Sequence, residues 1–165
     1  MSAAQTIKTL VLGVGSEHGD DAAGWRVTER IADLAIDSVA CRKIATPIEL
    51  IDWLGSADRI HVIDAAVELT GDVIRCSLNG ESDRHRIFDH AATGTHDFGV
   101  ARAFELATAL GQSLNHVTLW LVAGYEFEKL EPISHRAQYS IQECVRQLAD
   151  VIRQQKNYHG ALRPV

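Results

Sequence analysis

Residues 8–24 read KTLVLGVGSEHGDDAAG, and this stretch decides the fold. Its first half belongs to an apolar, β-branched run that predicts a strand over residues 7–14. Three glycines then mark a turn, and apolar residues at helical spacing follow over residues 20–35. A strand, a glycine-rich turn and a helix in this order are typical of the opening of an alternating α/β fold.

Two adjacent acids, Asp20 and Asp21, stand where that turn passes into the helix. A glycine-rich turn before a helix is a usual place for a phosphate, because the free N–H groups of the helix carry partial positive charge. Carboxylates there repel a pyrophosphate, by roughly 1 kcal/mol per charge pair at 4 Å in water and several-fold more when partly buried. The turn therefore favours a cation, and the alternative is an acid that merely caps the helix.

The rest of the chain continues the alternation of strands and helices. We predict further strands over residues 38–44, 59–66, 72–78 and 116–123, a loop over 79–95, and helices that begin at Thr46-Pro47 and that span 95–110 and 134–155. Such a pattern predicts an α/β fold of three layers, with a mainly parallel five-stranded sheet and helices on both faces.

Composition narrows the class of protein. A chain of 165 residues, 46% of them hydrophobic, predicts one domain over residues 1–165. A net charge of −6 without a basic stripe argues against nucleic acid as the partner. There is neither a signal-peptide pattern nor a run of the ~20 apolar residues that a membrane span needs. We therefore expect a cytoplasmic protein without a membrane partner, which acts as a monomer.

Three candidate ligands fall at one edge of the predicted sheet. Asp21 follows the first strand, Asp64 lies near the end of the third, and His96 opens the helix after the 79–95 loop. Ligands of open α/β sheets bind outside the carboxyl ends of the strands. Two carboxylates and an imidazole suit Zn²⁺, Ni²⁺ or Mn²⁺ and leave positions open for water or substrate. Taken singly, Asp64 could cap a strand end and His96 could be an ordinary neutral helix residue.

Four segments resemble the signature segments of the nickel–iron hydrogenase maturation endopeptidases, in the same order along the chain. They are LVLGVGSEHGDDAAG (10–24), HVIDAA (61–66), TGTHDFG (93–99) and EFEKLEP (126–132). The resemblance implies a protease that removes the C-terminal extension from the precursor of a hydrogenase large subunit after nickel insertion. It also implies that Asp21, Asp64 and His96 bind nickel, which the precursor supplies and for which other divalent ions may substitute.

The first turn departs from the family's pattern. The family usually has Asn after the second glycine and a turn that is one residue longer, whereas this chain has Ser16 and then Glu17-His18. Asp20 and Glu17 therefore remain alternatives to Asp21 as the metal ligand, and His18 is a further possible donor. We place the metal on Asp21, which keeps the family's spacing to the next glycine.

The sequence contains neither a GxSxG elbow, nor an HExxH pair, nor an evident Cys/His couple, which disfavours a covalent nucleophile. We expect cleavage through a metal-polarised carbonyl or a metal-activated water. The predicted catalytic set is Asp20, Asp21 and Asp64, with Asp20 as a possible base.

Two other functions stay open at the level of sequence. A nucleotide-binding protein of Rossmann type would use the glycine turn, but the ribose-binding acid expected about 20 residues later is absent, and Arg42 and Lys43 stand in its place. A non-catalytic metal-binding accessory protein would keep the same ligands without proteolysis.

Overall fold

The computed structural model describes residues 8–80, 82–83, 85 and 99–161, with side chains up to residue 158. The strands are β1 (Thr9–Val14), β2 (Val39–Ile44), β3 (Arg59–Ala66), β4 (Val73–Ser77) and β5 (Val117–Ala123). The helices are α1 (Ala23–Asp33), α2 (Leu50–Trp53), α3 (Val100–Ala109) and α4 (His135–Ala161). Short 3-10 turns, Gly19–Ala22 and Pro47–Glu49, lead into α1 and α2.

The five strands form one sheet in the order β2-β1-β3-β5-β4. All neighbouring pairs are parallel except β4 and β5, which run antiparallel. The predicted α/β fold with a mainly parallel five-stranded sheet is therefore confirmed. β2 lies on one side of β1 and β3 on the other, so the chain reverses its direction of winding between β1 and β3. This reversal makes the carboxyl ends of β1 and β3 the expected place for a ligand.

Helices cover both faces of the sheet and create two apolar cores. On one face α3 packs through Phe104 and its small residues against strand residues that include Val62. On the other face α1 and α4 pack through Val27 and Leu148 against residues that include Ile63. Neighbouring residues of β3 thus point into opposite cores, as the alternation of a strand requires.

Tight glycine packing fixes where α1 begins. Gly24 lies so close to the strands that a Cβ there would come within 2.2 Å of the Val14 carbonyl oxygen and 2.7 Å of the Ile63 carbonyl oxygen. Gly13 is equally crowded, since a Cβ on it would lie 2.2 Å from the Gly24 carbonyl oxygen. The first turn of α1 is therefore pressed onto the carboxyl ends of β1 and β3, and the residues just before it are held at that edge.

The largest differences from the predicted element boundaries concern three helices. The helix predicted from residue 20 begins as a 3-10 turn and becomes α-helical only at Ala23. The helix at Pro47 is a capped 3-10 turn followed by a single α-helical turn that ends before Gly55. The closing helix begins at His135 and extends to Ala161 rather than ending at residue 155.

Parts of two other predicted segments lie outside the described residues. His96 is among them, together with most of the 79–95 loop, of which residues 82, 83 and 85 are helical. Of the helices in the described part of the chain, none combines the length and the apolar composition that a bilayer span requires.

Candidate functional site

Asp21 lies in the 3-10 turn between β1 and α1 and is half-buried. Its carboxylate accepts a hydrogen bond from the Ser16 hydroxyl, with Oγ and Oδ2 2.5 Å apart. The side chain of Ser16, the residue that stands where the family usually has Asn, thus orients Asp21. The second carboxylate oxygen has no hydrogen bond from another described residue and remains available to a ligand.

Asp64 lies near the carboxyl end of β3, one residue beyond Ile63, the last residue of that strand paired with β1. Burial, together with the negative charge of Asp21, raises the pKa of Asp64 to about 7, although a hydrogen bond from the Ala65 backbone N–H acts in the opposite direction. Two like charges near each other in a partly buried place disfavour double ionisation. The structure therefore brings Asp21 and Asp64 together at the edge where β1 and β3 diverge.

The carboxylate of Asp20 has a different environment from that of Asp21, although the two residues are adjacent in sequence. It is fully buried, and its carboxylate accepts four hydrogen bonds. The donors are the backbone N–H groups of Tyr125 (2.7 Å), Glu126 (3.0 Å) and Ser134 (2.7 Å) and the Ser134 hydroxyl (2.8 Å). Burial alone would raise the pKa of Asp20, but these donors outweigh it, so the pKa lies below its ordinary value.

The bonds to Asp20 tie the turn before α1 to the segment that joins β5 to α4. The same turn makes three further contacts with that segment: Gly19 N–H donates to the Glu131 carbonyl, Asp20 N–H donates to the Glu126 carbonyl, and Leu130 N–H donates to His18 Nδ1. Gly19 has φ +54° and a Cβ there would lie 2.4 Å from the Glu126 carbonyl oxygen, so glycine is required at this contact. His18 is therefore engaged in a structural contact.

Glu17 is exposed and lies on a groove of about 240 Å³ beside the turn. The groove is also lined by Glu29 of α1, which binds Arg26 at 2.9 Å and Lys43 at 3.0 Å. Asp64 is not among the residues that line this groove. Asp21 is the acid of the turn that lies beside Asp64.

Asp21 and Asp64 are side chains of the kind that coordinate divalent ions. In the part of the chain that the structure describes, no group of three His, Cys, Asp or Glu side chains is close enough to hold a metal ion. Asp21 and Asp64 supply two oxygen ligands, and a bound cation would keep both ionised despite the raised pKa of Asp64. The pair fits a borderline divalent ion that receives its remaining ligands from elsewhere.

Two serines of this region were not singled out from the sequence. Ser16 orients Asp21, and Ser134 both donates to Asp20 and accepts from the Ala137 backbone N–H as it caps α4. A serine immediately before a helix is a recognised cap signal, so that part of the role of Ser134 was readable. Its bond to Asp20 links residues 114 positions apart and has no local signature.

No protein-family model matches the sequence, and no curated protein does so. Solved structures do match. The chain is similar to a hydrogenase 2 maturation peptidase from Thaumarchaeota archaeon SCGC_AB-539-E09, with 21% identity over 88% of this chain and 97% of that one and a TM-score of 0.64. The chain has the fold of these peptidases.

Two further structures support the same statement about the fold. The hydrogenase maturating endopeptidase HybD from E. coli is 20% identical over 90% of this chain and 93% of its own, with a TM-score of 0.66. The [NiFe] hydrogenase maturation protease HybD from Thermococcus kodakarensis is 20% identical over 87% of this chain and 98% of its own, with a TM-score of 0.64. The fold implied by the four signature segments is confirmed.

Proposed function

We propose that this protein is an endopeptidase that removes the C-terminal extension from the precursor of a nickel–iron hydrogenase large subunit. The observation that carries the proposal is the pairing of Asp21 with Asp64 at the winding reversal of the sheet, where the charge of one raises the pKa of the other. Structures with this fold carry the names of hydrogenase maturation peptidases, which supports the same reading.

His96 completes the proposed ligand set. It lies outside the described residues, four positions before α3 begins at Val100. α3 spans about 15 Å and leads through residues 110–116 to the amino end of β5, so its first residue lies toward the carboxyl edge of the parallel strands. The proposal requires His96 to reach that edge, and four residues of chain can span at most about 14 Å.

The face of the sheet that α3 covers also favours this set. Asp64 alternates with Ile63 along β3 and falls on the same side as Val62, which packs in the core beneath α3. The proposal therefore needs His96 on the α3 side of the sheet, the side on which Asp64 lies. Asp21 reaches the same edge from the turn before α1.

The nickel ion belongs to the substrate in this proposal. Asp21, Asp64 and His96 would hold it in the precursor complex, and it would supply Lewis acidity at the scissile carbonyl or at a bound water. Asp64 has a pKa of about 7, so its carboxyl group is suited to exchange a proton near neutral pH when no cation is bound. Asp20, with no exposed surface and four hydrogen bonds, acts as a positioning residue for the turn.

Cleavage of nickel-loaded precursor, followed by mass spectrometry, tests the proposal. The wild-type protein should shorten the precursor by one defined C-terminal fragment. Asp64→Asn and Asp21→Asn should each slow cleavage by at least about a hundredfold while the variants stay folded, because both residues lie at the sheet edge. A folded Asp64→Asn variant that cleaves at the wild-type rate would remove Asp64 from the mechanism.

Glu17→Gln is the matched control for Asp21→Asn, since it neutralises an acid of the same turn whose side chain is exposed. It should retain cleavage within about threefold. A larger loss in Glu17→Gln than in Asp21→Asn would show that the ligand register is wrong. Binding of loaded precursor without any cleavage would instead favour a non-catalytic accessory protein.

A further inference from the structure

The segment Tyr125–Glu131, here called the 125–131 loop, is exposed at every residue although its backbone is firmly held. Asp20 accepts hydrogen bonds from its first two N–H groups, and Gly19 N–H donates to its last carbonyl at 2.9 Å. The turn that carries Asp21 is thus the support of this loop. Whatever contacts the loop is held in a fixed position relative to Asp21 and Asp64.

Leu130 is the most unusual residue of the loop. Leu130 is 73% exposed, and its backbone has φ +63°. This conformation disfavours residues with a Cβ, and glycine or asparagine adopts it more readily. A large apolar residue that is both exposed and conformationally strained contributes little to folding. Such strain concentrates at sites that bind other molecules.

Two aromatic residues precede Leu130 on the same loop. Phe127 is 37% exposed, and its ring lies so close to Gly124 that a Cβ there would be 2.4 Å from Cζ. Tyr125 is 38% exposed, and the Arg136 guanidinium stacks over its ring at 4.1 Å. Both rings are held in place by the protein, so the loop presents an ordered apolar surface.

Acidic side chains outnumber basic ones around this surface. The loop carries three exposed acids, Glu126, Glu128 and Glu131, against one base, Lys129, and Arg136 of α4 adds a second base over Tyr125. Among the described residues, the ion pairs of the protein involve none of these acids. Apolar groups with a surplus of unpaired carboxylates complement a surface with an apolar centre and a basic rim.

We propose that the 125–131 loop docks the precursor protein through a folded surface of apolar centre and basic rim beside its C-terminal extension. The inference rests on the proposed function, because it takes the occupant to be the substrate of the site. The loop is continuous with the turn that carries Asp21, so docking here places the scissile segment near Asp21 and Asp64. Leu130 is the central contact, with Phe127 and Tyr125 beside it.

Steady-state cleavage of nickel-loaded precursor by Leu130→Asn and by Leu110→Asn tests the docking surface. Leu110 is the matched control, since it is 62% exposed just after α3 and precedes the amino end of β5, whereas the loop follows the carboxyl end of that strand. Leu130→Asn should raise KM about tenfold with kcat within about twofold, as expected when an apolar anchor is lost. Its melting temperature should equal or exceed that of the wild type, because asparagine tolerates the positive φ. Leu130→Gly should behave in the same way.

An unchanged KM in both Leu130 variants, or an equal rise in Leu110→Asn, would overturn the docking surface. If the wild type does not cleave, the proposed function fails, and the affinity for fluorescently labelled precursor then decides the docking surface alone. Binding that is about tenfold weaker for Leu130→Asn but unchanged for Leu110→Asn would support it. No binding by the wild type, or equal binding by all three proteins, would overturn it.

Discussion

Asp20 and Asp21 show how adjacent residues of a turn acquire different tasks. The carboxylate of Asp20 is buried and accepts hydrogen bonds from three backbone N–H groups and one hydroxyl. Among the described residues, the carboxylate of Asp21 accepts a hydrogen bond from Ser16 alone, and its charge acts on Asp64. A carboxylate with four donors has little capacity left for a ligand. The pair thus combines a structural anchor with an accessible carboxylate.

Asp20→Asn should lower the free energy of unfolding by roughly 2–3 kcal/mol, because an amide NH₂ would face at least one of the N–H donors and leave it buried and unpaired. Urea denaturation at neutral pH measures this loss. Asp21→Asn is the control and should change stability by less than about 1 kcal/mol, since it keeps an acceptor for Ser16. Equal stability of Asp20→Asn and the wild type would contradict the anchoring role.

His61 provides a second residue-level prediction, on pH dependence. It is buried beside Trp120, whose indole N–H donates to Nδ1 at 3.1 Å. Burial, together with the charges of Arg75 and Arg59, lowers the pKa of His61 to about 4. The folded pKa lies below the unfolded value of about 6.5, so the contribution to stability is complete above that value and is lost as the pH falls toward 4.

The loss attributable to His61 between pH 7 and pH 5 should be roughly 2 kcal/mol of unfolding free energy. Urea denaturation across this range measures it. The control His61→Asn keeps an acceptor near Nδ1 but does not titrate, so its stability should depend less on pH by about that amount. An identical pH dependence in both proteins would show that other groups control acid unfolding.

The role of a residue could be predicted from the sequence where it depends on residues nearby in the chain. An acid in so apolar a run as HVIDAA identified Asp64 as a candidate, and the glycine turn identified the two acids before α1. The structural role of Asp20 could not be predicted, because its hydrogen-bond donors lie 105–114 positions away in the chain and most are backbone N–H groups. Long-range backbone contacts leave no residue-type signature at either end.

At the scale of elements, the placement of α1 determines the site. Gly24 allows its first turn to contact the carbonyl oxygens of Val14 and Ile63, and this contact positions the turn that carries Asp21. An exposed helix would gain about 1 kcal/mol from replacing glycine by alanine. At Gly24 the added Cβ would lie 2.2 Å from the Val14 carbonyl oxygen, so the steric cost exceeds the gain in helix propensity.

Gly24→Ala should therefore lower the free energy of unfolding by about 2 kcal/mol or more and slow precursor cleavage, because α1 must move away from β1 and β3. Denaturation and the cleavage assay measure the two effects. Gly55→Ala is the matched control: a Cβ there meets nothing within 4 Å, so stability should stay within about 0.5 kcal/mol of the wild type. A stabilised Gly24→Ala variant would contradict the close packing.

Strands were predicted to within about two residues because their apolar, β-branched runs end in clear breakers. Helix starts were predicted less well. The helix was predicted to begin at residue 20, but Asp20 is bound by the loop after β5 and a 3-10 turn precedes α1. Local propensity could not foresee that tertiary contact.

At the scale of the whole molecule, the alternation of strands and helices predicted the mainly parallel sheet. The strand order β2-β1-β3-β5-β4 was not predicted. That order places β1 beside β3, which brings residues 21 and 64 to one edge. The antiparallel β4 follows β3 without a predicted helix between them, so its direction could have been inferred.

We propose that Asp21 and Asp64 form a site that binds the nickel of a precursor, and that cleavage of the precursor depends on this binding. The most direct measurement compares the rate of precursor cleavage, followed by mass spectrometry, for nickel-loaded and metal-free precursor with the same wild-type protein. We expect release of one C-terminal fragment from the loaded precursor and a rate at least about a hundredfold lower without metal, since the scissile carbonyl is then not polarised. Equal cleavage of both precursors, or cleavage of neither, would contradict the account.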